Sequence, residues 1–151
     1  MSTDKQYDYI IVGAGAAGCV LANRLSSDQT QTVLLLEAGT ASRSWRLRMP
    51  MAALDKLSQS PKFSWNNWSE EESRLELRRL FVPGGRVIGG SSSINGMVHV
   101  RGNSKEYDAW AKYGCRGWDF ESVLPYFKKS ESYQGQGDGS RGTKGPLIVH
   151  K

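Results

Sequence analysis

Gly13, Gly15 and Gly18 stand in the hexamer GAGAAG, and Glu37 follows nineteen residues after the last of them. Those residue types at that spacing suit the capture of a pyrophosphate. Gly13 permits a tight strand-to-helix turn. Gly15 lets a phosphate approach the main chain with no Cβ in the way, and Gly18 lets a helix pack closely on a sheet. Ala16 and Ala17 open that helix, whose free N–H groups and dipole favour an anion. Glu37, with Ala38 beside it, is placed to accept hydrogen bonds from the hydroxyls of an adenosine ribose. Its charge repels a 2′-phosphate, which argues against NADP. The competing reading keeps the glycines for packing alone, and the fingerprint does not by itself separate NAD from FAD.

The hexamer carries weight because of the elements around it. Residues 7–12 (YDYIIV) read as a buried strand, and apolar positions take helical spacing from Ala16 until the run Ser26, Ser27, Asp28. Residues 32–36 (TVLLL) read as a strand covered on both faces. This is a β-α-β unit over residues 7–37, which implies a parallel sheet, a right-handed crossover and an α/β fold. Residues 40–82 hold Pro50, Pro61, Trp45, Trp65 and Trp68. They read as an excursion with a short helix near 51–57 and a strand-like segment over 77–83. Further expectations are a short strand over 97–100, a helix over 106–113 closed by Gly114, and a helix over 120–130 capped by Asp119. A glycine-rich loop over 133–145 and a strand over 146–149 complete the pass.

Composition excludes several classes. The 151 residues are 38% hydrophobic and 23% charged, as in a soluble globular protein. The net charge of +5 comes from scattered residues such as Arg43, Arg46, Arg74 and Arg78, with no basic strip for nucleic acid. Cys19 and Cys115 form neither a C-x-x-C pair nor a disulfide framework, and Cys19 reads as a small buried helix residue. A reducing, cytoplasmic setting fits, with peripheral membrane attachment left open. No targeting peptide is visible, and the apolar runs are too short for a bilayer. No metal site is expected.

The stretch GGRVIGGSSSINGMVHVRGN, residues 84–103, is either a flexible linker or a wall that a ligand approaches closely. It resembles the flavin-proximal signature of the glucose–methanol–choline (GMC) oxidoreductases at Gly85, Arg86, Gly89, Gly90, Ser91, Ser92, Ile94 and Asn95. Residues 103–131 are similar to the helical segment that follows this signature in bacterial members, and GPLIV to the strand that opens their substrate domain, starting near residue 145. Choline dehydrogenases and related alcohol dehydrogenases look most similar.

The resemblance implies a Rossmann-like FAD-binding domain, running as β-α-β unit, excursion, flavin-proximal loop (83–103) and helical segment (104–131). It implies that Gly89, Gly90 and Gly96 let backbone N–H groups reach the phosphate and ring, while Ser91 and Ser92 donate to the same groups. Val87 belongs to this segment, and Asn95, Gly96, Met97 and Val98 would run along the flavin. Arg86 would face phosphate or pair with an acid. Departures from the family pattern fall at Gly84, Asn67, Glu71 and His99, the last read as flavin-facing or as a structural histidine. Ile94 replaces the histidine that some members attach to flavin, so FAD is expected to be non-covalent.

The family's catalytic base lies far beyond Lys151, so no catalytic residue is assigned, and the sequence reads as cut off before the rest of the sheet and the substrate domain. For the longer enzyme the resemblance implies oxidation of a small alcohol to an aldehyde or ketone, with oxygen, a quinone or another electron acceptor. The alternatives are a truncated, non-catalytic nucleotide-binding or interaction module and a NAD-linked dehydrogenase. Unpaired sheet edges lead to the expectation that these residues alone bind FAD weakly and aggregate.

Overall fold

The computed structural model describes residues 5–41, 43–49, 56–137 and 139–150. The chain divides into two compact units, Met1–Val98 and His99–Lys151.

In the first unit, β1 (Tyr9–Val12), α1 (Ala16–Leu25) and β2 (Val33–Leu36) form the expected β-α-β unit. β1 and β2 pair in parallel, from Tyr9 against Val33 to Val12 against Leu36. The entrance is stapled by Asp8, whose carboxylate accepts from the Thr32 amide and hydroxyl, both at 2.7 Å. Those hydrogen bonds hold the Asp8 carboxyl below its ordinary range. Ile11 faces α1, whereas Ile10, Val12 and Leu36 are exposed. The expectation of a strand covered on both faces is therefore not met among the described residues.

The excursion is mostly turns. Residues Trp45–Arg48 and Leu57–Gln59 make short 3₁₀ turns, and the helix expected near 51–57 falls outside the described residues except for Lys56 and Leu57. β3 (Asn67–Trp68) and β4 (Phe81–Val82) pair antiparallel, with the Trp68 and Phe81 rings 5.2 Å apart. The strand-like run shortens to these residues because Glu76 and Leu77 both take positive φ and break the extended chain. Leu57, Phe63, Val87 and Ile94 form the buried cluster, with Leu47 packed against it.

The second unit holds α2 (Ser104–Lys112), α3 (Phe120–Ser130), β5 (Glu131–Tyr133) and β6 (Leu147–Val149), the two strands pairing in parallel. Asn103 caps α2 through the Lys105 amide, and Asp119 caps α3 through Ser122 as expected. Gly114 ends α2 with φ of +103°. Tyr107 joins the helices, its ring 5.1 Å from Trp110 and 5.7 Å from Phe127. The strand expected over 97–100 does not form. Met97 takes φ of +58°, and these residues join no ladder among those described.

An ionic cluster organises this unit. Glu131 is fully buried and accepts from Arg101, from the Gly142 amide at 2.9 Å and from Arg141 at 3.1 Å. His99 Nε2 lies 3.2 Å from the same carboxylate, so the structural reading of His99 is the one observed. Arg101 also donates to the Ser140 carbonyl. Burial pushes the Glu131 carboxyl up, but the Gly142 amide, Arg101, His99 and Arg141 outweigh it and leave it below its ordinary value. Glu131→Gln leaves two guanidinium groups without their counter-charge. Urea unfolding should show a loss of about 3 kcal/mol at neutral pH. Because the carboxyl titrates lower in the folded chain, its contribution is complete above about pH 5 and fades as pH falls through the depressed value. The variant should lose that part of the acid dependence; an unchanged acid limb would contradict this account.

Candidate functional site

At the first glycine turn, β1 runs into Gly13, whose φ of +94° only glycine takes without strain, and the Gly13 amide donates to the Leu36 carbonyl at 2.7 Å. A Cβ on Gly18 would lie 2.0 Å from the Gly13 carbonyl oxygen and 3.3 Å from Ile11, so this glycine brings α1 onto β1. A Cβ on Gly15 would meet nothing within 4 Å. One glycine turns, one packs, and one opens onto free space, as the spacing predicts. Ala16 and Ala17 start α1 on its exposed side. Cys19 donates its thiol to the Ala14 carbonyl at 3.3 Å and is half-buried rather than buried, because this part of α1 faces the turn instead of a closed core.

Glu37 reaches across from the end of β2. One carboxylate oxygen accepts from the Ala14 amide at 2.7 Å and the other from the Gly39 amide at 2.8 Å. Each oxygen keeps a further lone pair, so the acid still has acceptor capacity for a ligand.

The second turn is welded to the first. The Gly89 amide donates to the Ala14 carbonyl at 2.7 Å, and Gly89 bridges Gly15 in parallel fashion. A Cβ on Gly90 would sit 2.8 Å from Gly15 Cα, so main chain lies against main chain. This corrects the role expected for Gly89 and Gly90. Their amides are committed to the carbonyls of Ala14 and Val87. The Ser92 hydroxyl is likewise committed, donating to the Gly89 carbonyl at 2.6 Å. Ser91 differs: its oxygen accepts from the Gly85 amide at 3.0 Å, which leaves its proton for another partner.

Two further expectations change. Val87 is 1% exposed and its side chain belongs to the core. Among the described residues, Arg86 pairs with no acid. It donates to the Pro61 carbonyl at 3.1 Å, lies 5.2 Å from the Trp65 ring centre, and leaves its Nε buried with no partner. The Arg86 amide donates to the Phe63 carbonyl, and that local pairing puts the side chain beside residues 61–65.

The two turns enclose a cleft of about 650 Å³. It gathers six residues singled out in the sequence: Gly13, Gly15, Glu37, Ala38, Gly90 and Ser91. Gly85 of the signature also lines it, as do Trp65, Val12 and Leu36, which were not anticipated there. The signal for Trp65 was an aromatic two residues after a proline-led turn, which is too common to decide anything. Ser92, Asn95 and Met97 line a separate cavity of about 100 Å³ with Leu47, Arg48 and Met49. Gly96 and Val98 border neither, and Val98 is 78% exposed. A cavity of about 610 Å³ in the second unit is lined by Tyr107, Trp110, Trp118 and Tyr126. Gly117, with φ of +79°, and Val123 also line it, and no charged side chain does so among the described residues. Among the described residues, no His, Cys, Asp and Glu group is placed to hold a metal, and no helix is long and apolar enough to cross a membrane.

A β-α-β turn with an open glycine face and an acid ending the second strand is the arrangement found in Rossmann-like α/β folds. Residues 7–151 match the family model described as GMC oxidoreductase, and the chain belongs to that family. It is 49% identical over 143 residues to the oxygen-dependent choline dehydrogenase of Vibrio vulnificus (strain YJ016), covering 95% of this chain and 25% of that protein. It is 43% identical over 153 residues to the mitochondrial choline dehydrogenase of Homo sapiens, covering 97% and 26%. The chain thus spans about a quarter of the length of these relatives. Among solved structures, pyridoxine 4-oxidase from Mesorbium loti superposes with a TM-score of 0.84 at 36% identity, over 96% of this chain and 28% of that one. An FAD-dependent oxidoreductase from Chaetomium thermophilum does so with a TM-score of 0.78 at 32% identity, over 96% and 26%.

Two substitutions separate the roles of the glycines. Gly18→Ala places a Cβ against a backbone carbonyl and should lower stability to urea by about 2 kcal/mol, as overpacking does. Gly15→Ala should leave the cofactor-free stability within about 0.5 kcal/mol, because nothing stands where its Cβ goes. Glu37→Gln cannot accept from both the Ala14 and Gly39 amides, and should cost the cofactor-free protein about 2 kcal/mol by the same measurement.

Proposed function

We propose that this chain supplies the FAD-binding part of a flavoprotein that oxidises a small alcohol to an aldehyde or ketone. The observation that carries the reading is the weld between the two motifs, which sets Gly90 and Ser91 on the wall of the cleft opened by Gly13 and Gly15. A NAD site has use for the first turn alone.

The residues fit the group. The open edge of Gly15 admits a phosphate to the main chain at the start of α1. Glu37, its orientation fixed by two amides, accepts from ribose hydroxyls with its remaining lone pairs. Ser91, on the cleft wall, keeps a hydroxyl proton to donate, and Trp65 borders the same cleft. Asn95, Gly96, Met97 and Val98 form an exposed strip in which the Met97 amide is taken by the Asn95 side chain, and the amides of Gly96 and Val98 are the ones able to donate along a flat ring. Bound FAD supplies the acceptor for the hydride that leaves the alcohol carbon.

Binding without a covalent bond is supported at Ile94, 6% exposed within the buried cluster, where the side chain points into the core. The substrate class rests on the choline dehydrogenases among the relatives, and the base and electron acceptor lie outside these residues. A reducing, cytoplasmic setting rests on Cys19 and Cys115, both free thiols.

Purified full-length enzyme should show the absorption bands of oxidised flavin and release them into the supernatant on acid precipitation. Absence of flavin, or NAD alone, would sink the reading, and flavin retained in the pellet would overturn non-covalent binding. Gly15→Ala should weaken FAD binding at least about tenfold while stability holds, since only the ligand meets the new Cβ.

A further inference from the structure

We propose that Asn95 and Gly96 form a site of spontaneous covalent modification, at which the cofactor-free protein converts Asn95 to aspartate and isoaspartate. Asn95 is exposed, and its side-chain oxygen accepts from the Met97 amide at 3.0 Å. That turn folds the side chain back over the peptide it shares with Gly96. The Gly96 amide has no hydrogen-bond partner among the described residues, and a Cβ at Gly96 would meet nothing within 4 Å. An unpartnered nucleophile with no side chain of its own thus lies beside an exposed carboxamide.

The chemistry requires only water. The Gly96 amide nitrogen loses its proton to solvent and attacks Cγ of Asn95, forming a nitrogen–carbon bond. The bond from Cγ to Nδ2 breaks, and the nitrogen leaves with a proton as ammonia. Water then opens the five-membered imide at either carbonyl, giving aspartate or isoaspartate.

The other asparagines lack this arrangement. Asn23 lies within α1 and precedes Arg24, and Asn103 caps α2 with its side-chain oxygen and precedes Ser104. Asn66 and Asn67 precede Asn67 and Trp68, so Asn95 is the one asparagine of the 151 residues followed by glycine.

The consequence rests on the proposed function. The product adds a carboxylate, and in the isoaspartate an extra main-chain carbon, to the strip read as lying along the flavin. An empty site then ages toward a form that no longer reloads, whereas an occupied site is shielded from water.

The test uses full-length enzyme stripped of cofactor, with and without saturating FAD, incubated at mildly alkaline pH. Isoaspartate is read by enzymatic methylation and peptide mapping, and FAD binding is read separately by absorbance. The proposal expects product at residue 95 ahead of every other asparagine, faster as pH rises, and suppressed by FAD. Gly96→Ala should slow it about tenfold, because the added Cβ crowds the nucleophile. That variant meets open space and no positive φ, so it should fold. Asn95 left intact while other asparagines react overturns the proposal. Product forming equally in enzyme that has bound FAD keeps the modification site but overturns the shielding. Failure of FAD to bind unmodified enzyme, with product still at residue 95, supports the site and counts against the flavin reading alone.

Discussion

The contact on which the first unit depends is main chain against main chain, where Gly90 meets Gly15 and the Gly89 amide donates to Ala14. These turns stand seventy-five residues apart in the chain. No side chain fits between them, so the composition of both turns follows from a single geometric demand. The same demand repeats at the margins. A Cβ on Gly39 would collide with the Arg86 main chain, and one on Gly85 with that of Gly90. Below the weld, Val87 and Ile94 enter the core from either side of the second turn and lock it in place. The glycine run is therefore rigid for a reason its composition conceals: it is packed through its backbone, with aliphatic anchors at its flanks.

The second unit solves the problem of stability differently. Val149 is the buried apolar residue among those described there, and its aromatic side chains remain partly open. Glu131 ties three stretches of chain through charge and hydrogen bonds: residues 99–101, β5, and residues 140–142. A buried carboxylate between two guanidinium groups is costly to desolvate. It persists because its hydrogen bonds are nearly all made, and removing one partner leaves the rest uncompensated. One unit thus rests on apolar burial beneath glycine turns, and the other on a satisfied ionic cluster.

What was legible in the sequence was whatever local chemistry dictates. The β-α-β unit, the turning and packing roles of Gly13 and Gly18, and the cap at Asp119 depend on neighbours within a few residues or on periodicity. What was illegible depended on partners far along the chain. Arg86 carries a charge that invites a phosphate, but its fate was settled by the Phe63 and Pro61 carbonyls and the Trp65 ring. Residues 97–100 have the β-branched composition of a strand, yet composition does not reveal that Met97 turns left-handed. Gly89, Gly90 and Ser92 were read as reaching toward a ligand, whereas their hydrogen bonds run back to Ala14, Val87 and Gly89. The pattern marks the members of a site more readily than it tells which of them touch the ligand and which hold the others.

Glu37 shows why those two duties need not be separate. Before any ligand arrives, its carboxylate must satisfy the Ala14 and Gly39 amides, at the turn where β1 becomes α1 and at the turn leaving β2. Either amide left without a partner would weaken the turn it belongs to. The negative charge that would meet a ribose is thus held in a fixed direction by the fold itself, and little side-chain freedom remains to be lost on binding. An acid at this position serves the empty turn first. The same two hydrogen bonds that stabilise the cofactor-free chain leave the outer lone pairs facing the cleft, so the stability of the turn and the readiness of the site have one cause.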